Sequence, residues 1–138
     1  MSHEIPSAFE HLLKPPTIVS LATLLRDGQP QVTATWIDYD GEYLYINTAE
    51  GRQKDRNMKR NPKVTILAID PKNTERYIEV RGTIIERTYN GAVDHINKQA
   101  QAYRGFPEYF GHVVPEALRQ TMVRVMYKIQ PTRVTTRG

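Results

Sequence analysis

The chain contains no cysteine among its 138 residues. That absence excludes disulfides, thiolate metal sites and a cysteine nucleophile, and it fits a cytoplasmic setting. No apolar run approaches the roughly 20 residues of a membrane-spanning helix, so no membrane partner is expected. The N-terminal stretch MSHEIPSAFEHLLKPP carries acids early and only a short apolar cluster, unlike a signal peptide. Neither a Walker loop nor a dinucleotide-binding glycine fingerprint occurs. The histidines, His3, His11, His95 and His112, are scattered without metal-ligand spacing. No metal is expected, and no nucleophile stands beside a histidine to build a catalytic triad. Internal repeats, low-complexity tracts and linkers are also missing. At this length, residues 1–138 read as one domain with a sizeable core.

What is present is a concentrated positive charge. Lys and Arg number 19 against 15 Asp and Glu, a net charge of +4. The excess sits largely in residues 52–60 of the stretch Thr48–Pro62, TAEGRQKDRNMKRNP, where Arg52, Lys54, Arg56, Lys59 and Arg60 are relieved only by Asp55. This favours a local anion over a long polyanion as partner. Tyr43–Ile46 reads as a strand before it, Gly51 allows a turn, and Asn61-Pro62 ends the helix that follows. Strand, glycine turn and basic helix form an anion cradle, because backbone N–H groups at a helix start favour a phosphate and Arg and Lys add charge-assisted bonds. At about 100° per residue, Arg52, Arg56, Lys59 and Arg60 share one arc, with Lys54, Asn57 and Met58 opposite. Met58 marks the face toward the protein, flanked by Lys54 and Asn57. The plain alternative is a solvated basic helix.

The remaining pattern is mainly β. Ser7–Lys14 reads as a short amphipathic helix with Phe9, Leu12 and Leu13 on its apolar side, ended by Pro15-Pro16. Thr17–Leu25, Pro30–Tyr39 and Glu42–Thr48 read as three strands joined by Asp-Gly turns into an antiparallel meander. In the second, Val32, Ala34 and Trp36 lie on one face and Gln31, Thr33 and Thr35 on the other. Lys63–Ile69 is a fourth strand. Tyr77–Tyr89 is a fifth, with Gly82 marking a bulge or close backbone approach. Asn90–Tyr103 changes to a helical period with Val93, Ile96, Ala100 and Tyr103 on one face. Met122–Thr135 closes the chain as a sixth strand, with Val123, Val125, Tyr127 and Ile129 inward and Arg124, Met126 and Lys128 outward. Six strands with peripheral helices imply a small antiparallel barrel.

Other candidate features have plain readings beside the functional ones. Glu75, Glu79 and Glu86 lie in or near a strand, where Arg81 and Arg87 offer partners. Trp36 has core packing as its default role. Tyr103, Tyr109 and Phe110 around Gly105 form either an aromatic lid or a packed loop. The threonine face of the second strand, beside the basic turn, suits a flat heteroaromatic ring laid against backbone with its phosphate on the turn. The chemistry would then belong to the ring, with the protein supplying orientation and electrostatics. That accounts for the lack of any standout acid, base or nucleophile.

Four stretches resemble the flavin-binding split β-barrel superfamily that includes pyridoxamine 5'-phosphate oxidase. They are SLATLLRDGQPQVTATW (Ser20–Trp36), LYINTAEGRQKDRNMKRNPKV (Leu44–Val64), YIEVRGTI (Tyr77–Ile84) and VRVMYKIQPTRV (Val123–Val134). Within it the chain looks like the branch of deazaflavin (coenzyme F420)-dependent reductases. The resemblance implies a six-stranded antiparallel split barrel, a homodimer with two cofactor sites at its interface, and hydride transfer to a small conjugated or heteroaromatic substrate. It places Thr33, Ala34, Thr35 and Trp36 along the ring. Thr48, Ala49, Arg52, Gln53 and Lys54 hold the phosphate, Arg52 and Lys54 as its cationic ligands, and Asn57 matches the asparagine that follows them in the motif. Glu75–Tyr77 borders the substrate space. It assigns no catalytic residue.

FMN is the alternative cofactor at the same site. The outward stripe of Arg56, Lys59 and Arg60 is expected to receive the oligoglutamate tail of F420, or else serves as a solubilising face. From another class, the chain reads as a non-catalytic flavin- or haem-binding module. Nucleic acid ranks last as a partner, because the cations cluster in one helix instead of tracking a groove.

Overall fold

The computed structural model describes residues 3–138. Seven strands form one antiparallel sheet: β1 (Val19–Leu24), β2 (Pro30–Thr35), β3 (Asp38–Tyr39), β4 (Leu44–Ala49), β5 (Lys63–Ile69), β6 (Tyr77–Thr88) and β7 (Arg124–Arg137). Their order is β2-β1-β5-β6-β7-β4-β3. Two helices, α1 (Gln53–Arg60) and α2 (Ala92–Arg104), flank the sheet.

The order explains the curl. Strands β2 and β3 are its two edges, yet only Trp36 and Ile37 separate them in the chain. Three Cα steps span at most about 11 Å, whereas six flat interstrand spacings would part the edges by about 29 Å. The sheet must therefore roll until its edges meet. The expected second strand, Pro30–Tyr39, is thus two strands. Its first half pairs with β1, Val19 opposite Thr35, and its second half with β4, Tyr39 opposite Leu44. This corrects the strand count from six to seven and replaces the meander with a split at Trp36–Ile37.

The rolled sheet encloses an apolar core. In β5, Val64, Ile66 and Ala68 point in, and in β7 so do Val125, Tyr127 and Ile129. The segment Ser7–Leu13 forms a 3₁₀ helix that drives Phe9, Leu12 and Leu13 into the same core. Gly82 interrupts β6 where the register with β7 shifts. A Cβ there would lie 2.5 Å from Cγ2 of Ile129, so the expected close approach and bulge coincide.

Packing decides the finer expectations, some against the sequence reading and some with it. Val93 is exposed, because α2 packs through Ala92, Ile96, Gln99 and Ala100. Val123 is exposed and Arg124 buried, because α2 covers the outer side of β7 at this end. Glu79 does pair with Arg81 at 3.1 Å, but Arg87 turns to Asp55 and Glu50 instead of Glu86. Tyr109 and Phe110 are buried in a second small core with Ile96 and Ala100, so that segment is a packed loop. No helix among the described residues is long and apolar enough to cross a membrane.

Candidate functional site

The basic segment folds as its spacing requires. Gly51 adopts φ +91°, a left-handed conformation that favours glycine. Its N–H donates to Oδ2 of Asp55 at 2.9 Å, the Arg52 N–H donates to the Ala49 carbonyl at 3.2 Å, and α1 begins at Gln53. Arg52, Arg56, Lys59 and Arg60 are exposed, Lys54 is half-buried, and Asn57 and Met58 are buried, as the helical arc requires. The buried member the arc does not mark is Asp55. Its carboxylate takes Nε and Nη2 of Arg87 at 3.1 and 3.3 Å and the Tyr127 hydroxyl at 2.5 Å.

A pocket of about 190 Å³ lies between this turn, the end of β2 and the face of α2. Ala34, Thr35, Trp36, Arg52 and Lys54 are brought together in it. It also takes in side chains the sequence reading left out, chiefly Asn47, Gln99, Tyr109 and Arg124. Trp36 stacks on Tyr103, centroids 4.9 Å apart and planes 8° from parallel, and meets Tyr109 edge-on at 6.4 Å. The Tyr103 hydroxyl accepts the Ile37 N–H at 2.9 Å and donates to the Thr17 carbonyl at 2.7 Å, which holds the stack over the split between β2 and β3.

The charges here are of one sign. Arg52, Lys54 and Arg124 line the pocket and no carboxylate does. Burial and the neighbouring Arg52 and Arg124 charges push the Lys54 ammonium below the usual lysine range. Burial lowers Arg124, and Arg52 adds to the shift while Tyr109 opposes it. Burial is the larger cause of each shift and like charge the smaller, and an anion placed among these groups would favour their charged forms. The amide Nε2 of Gln99 lines the same pocket, buried and without a partner. Cations without counter-charges, an unpartnered donor and an aromatic wall fit an anionic group attached to a flat ring. No group of three or more His, Asp or Glu suited to a metal occurs among the described residues.

The other expected site residues do not line this pocket. Thr33 and Thr48 have buried hydroxyls without a partner, and Ala49 is buried at the end of β4. Gln53 turns to the opposite side of α1 and lines a larger open groove with Arg56, Lys59 and Arg60. Asn57 is fully buried and fully engaged. Its amide donates to Thr23 at 3.1 Å and Gln31 at 3.2 Å and accepts from Gln53 at 2.8 Å and Arg60 at 3.0 Å. With both donors and both acceptor positions taken, Asn57 anchors α1 to the sheet. Thr74, Tyr77 and Glu79 border a different surface depression, away from Lys54.

Arg124 was missed because strict alternation along β7 puts it outside the barrel. The outside at this point is the floor beneath α2. The signal available was the apolar face of α2 itself, which must cover some outward sheet surface.

A cationic, aromatic-walled pocket thus sits outside the barrel of a rolled antiparallel sheet. Residues 5–138 match the pyridoxamine 5'-phosphate oxidase family, and the chain belongs to it. A solved structure described as an F420 reductase is similar at 35% identity and TM-score 0.80, over 95% of this chain and 98% of that one. Two others show the fold alone. An FAD-binding protein from Mesorhizobium loti is 20% identical with TM-score 0.66, over 96% of this chain and 94% of its own. The heme storage protein of Vibrio cholerae is 16% identical with TM-score 0.66, over 98% and 96%.

Proposed function

We propose that this protein is an oxidoreductase that binds a phosphate-bearing deazaflavin, coenzyme F420, and reduces a small conjugated or heteroaromatic substrate. The observation that carries the reading is the pocket where Arg52, Lys54 and Arg124 converge beside Trp36 with no carboxylate among them. Arg52 and Lys54 hold the phosphate, and the strand end Thr33–Trp36 sets the plane of the ring. When bound, the deazaflavin supplies the hydride. The similarity to an F420 reductase supports that cofactor, and FMN at the same site is the alternative. A haem-binding module is the reading favoured by the likeness to a heme storage protein.

The site is proposed to be completed by a second copy of the chain. The 190 Å³ pocket falls short of the roughly 300–1,000 Å³ of small-molecule sites. Beside it, Val32 on β2 is 62% exposed and Ile18 52% exposed, apolar surface suited to a partner.

The oligoglutamate tail is assigned to the groove of about 970 Å³ lined by Arg26, Arg56, Lys59 and Arg60. Arg56 donates to the Gly51 carbonyl and the Gln53 side chain, both at 2.6 Å, and Arg60 to the Leu24 carbonyl at 3.0 Å. These acceptors are neutral and leave the positive charge uncancelled, with Asp27 the single carboxylate on the lining. Titrating F420 of increasing tail length tests this. Affinity should rise with length in the native protein and become independent of length in an Arg56/Lys59/Arg60 triple-alanine variant. Each exposed pair contributes at most about 1 kcal/mol. Length dependence that survives the triple substitution would refute the tail assignment.

A further inference from the structure

Arg124 is a guanidinium at the head of β7 that is 4% exposed and makes no ion pair among the described residues. Its carbon lies 4.8 Å over the ring of Tyr109, and its Nη1 reaches the Tyr109 hydroxyl and the Met122 sulfur, each at 3.5 Å. Neither neutralises it, and an uncompensated buried charge is strongly unfavourable. It lines the pocket that Arg52 and Lys54 share, beside the unpartnered amide of Gln99.

A chain of one-way groups aims this side chain. Nε of Arg124 only donates, so the atom of Asn47 that meets it at 2.9 Å is the oxygen Oδ1. The Ala92 carbonyl only accepts, so the atom of Asn47 at 2.8 Å from it is Nδ2. Both ends of the amide are therefore determined. The second hydrogen of Nδ2 points to Nδ1 of His95 at 3.0 Å, which must be the acceptor. In the neutral ring the proton then sits on Nε2, which contacts the carboxylate of Asp38. The chain runs from edge strand β3 through α2 and β4 to the head of β7, so it crosses every element around the pocket except β2 and α1.

We infer that Arg124 is a third cationic ligand of the anion held by Arg52 and Lys54, and that Asn47, oriented by His95 and Asp38, is the positioning residue that aims it. The inference rests on the proposed site, but its anion arm does not depend on which ring system the protein takes. Two converging arginines and a lysine suit a phosphate, as the monoester of FMN or the diester of F420.

The experiment compares ligands with and without the phosphate: FMN against riboflavin, which differ only by that group, or F420 against its ring–ribityl fragment, which lacks the tail as well, a difference common to the native protein and the variant. In Arg124→Gln, the ratio of the two affinities should fall about tenfold to a hundredfold, the range for a hydrogen bond to a charged group, with the phosphate-free ligand bound as before. Asn47→Ala should lower the ratio several-fold, and should add no further loss in the Arg124→Gln background, since the two act as one unit. A ratio unchanged in Arg124→Gln would overturn the role of Arg124. An Asn47→Ala loss that adds fully to it would overturn the positioning role. If no ring ligand binds, the flavin reading fails separately, and inorganic pyrophosphate becomes the probe. Protection of the thermal midpoint in the native protein, lost in Arg124→Gln, supports the inference, whereas equal protection or none overturns it. Should Arg124→Gln not fold, Arg124→Lys keeps the charge without the Nε bond to Asn47. It should lower the ratio, and an unchanged ratio would overturn the inference.

Discussion

Asp55 and Arg87 join the basic helix to the long strand β6 through two contacts, Nε to Oδ1 at 3.1 Å and Nη2 to Oδ2 at 3.3 Å. The same carboxylate holds the Gly51 N–H, so one side chain fixes the helix, the strand and the turn on which Arg52 and Lys54 stand. Removing one partner of a buried pair leaves the other charge uncompensated. Asp55→Ala should therefore cost about 3–5 kcal/mol, read as a lowered urea midpoint at unchanged slope. Any Asp55→Ala protein that folds should bind phosphate-bearing ligands more weakly.

The same carboxylate sets an acid limit. Burial raises the Asp55 carboxyl, but hydrogen bonds from Arg87, Tyr127 and the Gly51 N–H outweigh it and hold it below the usual carboxylate range. A carboxyl depressed in the folded state contributes stability that is complete above its unfolded value, about 3.9, and is lost as pH falls through the lower folded value. Acid titration of stability should show this loss in the native protein, and Asp55→Asn should flatten the curve below about pH 4.

Gly82 and Ile129 define a packing limit. A Cβ on Gly82 would meet Cγ2 of Ile129 at 2.5 Å and the Gln130 carbonyl oxygen at 3.0 Å. Gly82→Ala should destabilise by about 1–3 kcal/mol. Combined with Ile129→Ala it should cost less than the sum of the two single changes. Denaturant unfolding of the four proteins in that cycle measures the coupling.

Much of this was legible in the strands and the basic helix. The arc that put Met58 and Asn57 inward and Arg56, Lys59 and Arg60 outward agrees with their burial, because a short helix on a sheet has one covered side. Gly82 announced its bulge because a glycine inside a β-branched run has few other reasons to be there. The division of Pro30–Tyr39 was not legible. Trp36 continues the apolar alternation, Ile37 adds a single apolar residue on the opposite face, and only closure of the barrel requires the break. Asp55 and Arg124 were hidden for a shared reason. Local periodicity identifies faces but not what covers them, and both charged side chains are buried by elements distant in sequence, Asp55 by Arg87 and Tyr127 and Arg124 by α2.

Tyr103 should be sensitive to loss of a single oxygen. Tyr103→Phe keeps the ring that stacks on Trp36 but strands the Ile37 N–H and the Thr17 carbonyl. Leaving these part-buried groups unpaired costs about 1–3 kcal/mol where water does not reach them. A urea titration should show that loss, while a midpoint equal to the native one would show that water replaces the hydroxyl.

Lys54 gives the anion site its pH dependence. Burial and the charges of Arg52 and Arg124 lower its ammonium from the ordinary lysine range, and a bound anion favours the charged form. Affinity for a phosphate-bearing ligand should therefore fall as pH rises through the lowered value, before free lysine titrates at about 10.4. In that window binding should take up protons, measured by calorimetry in buffers of different ionisation enthalpy.

The most direct test of the account is a side-by-side fluorescence titration of the ligand-free protein with F420, FMN and haem, repeated with Lys54→Ala. The account predicts preference for F420, and a loss of that binding in Lys54→Ala with the fold intact. Preference for FMN, lost in the same variant, would keep the site and contradict the cofactor assignment. F420 binding that is indifferent to Lys54, or binding of haem alone, would contradict the central claim that this cationic pocket anchors a deazaflavin phosphate.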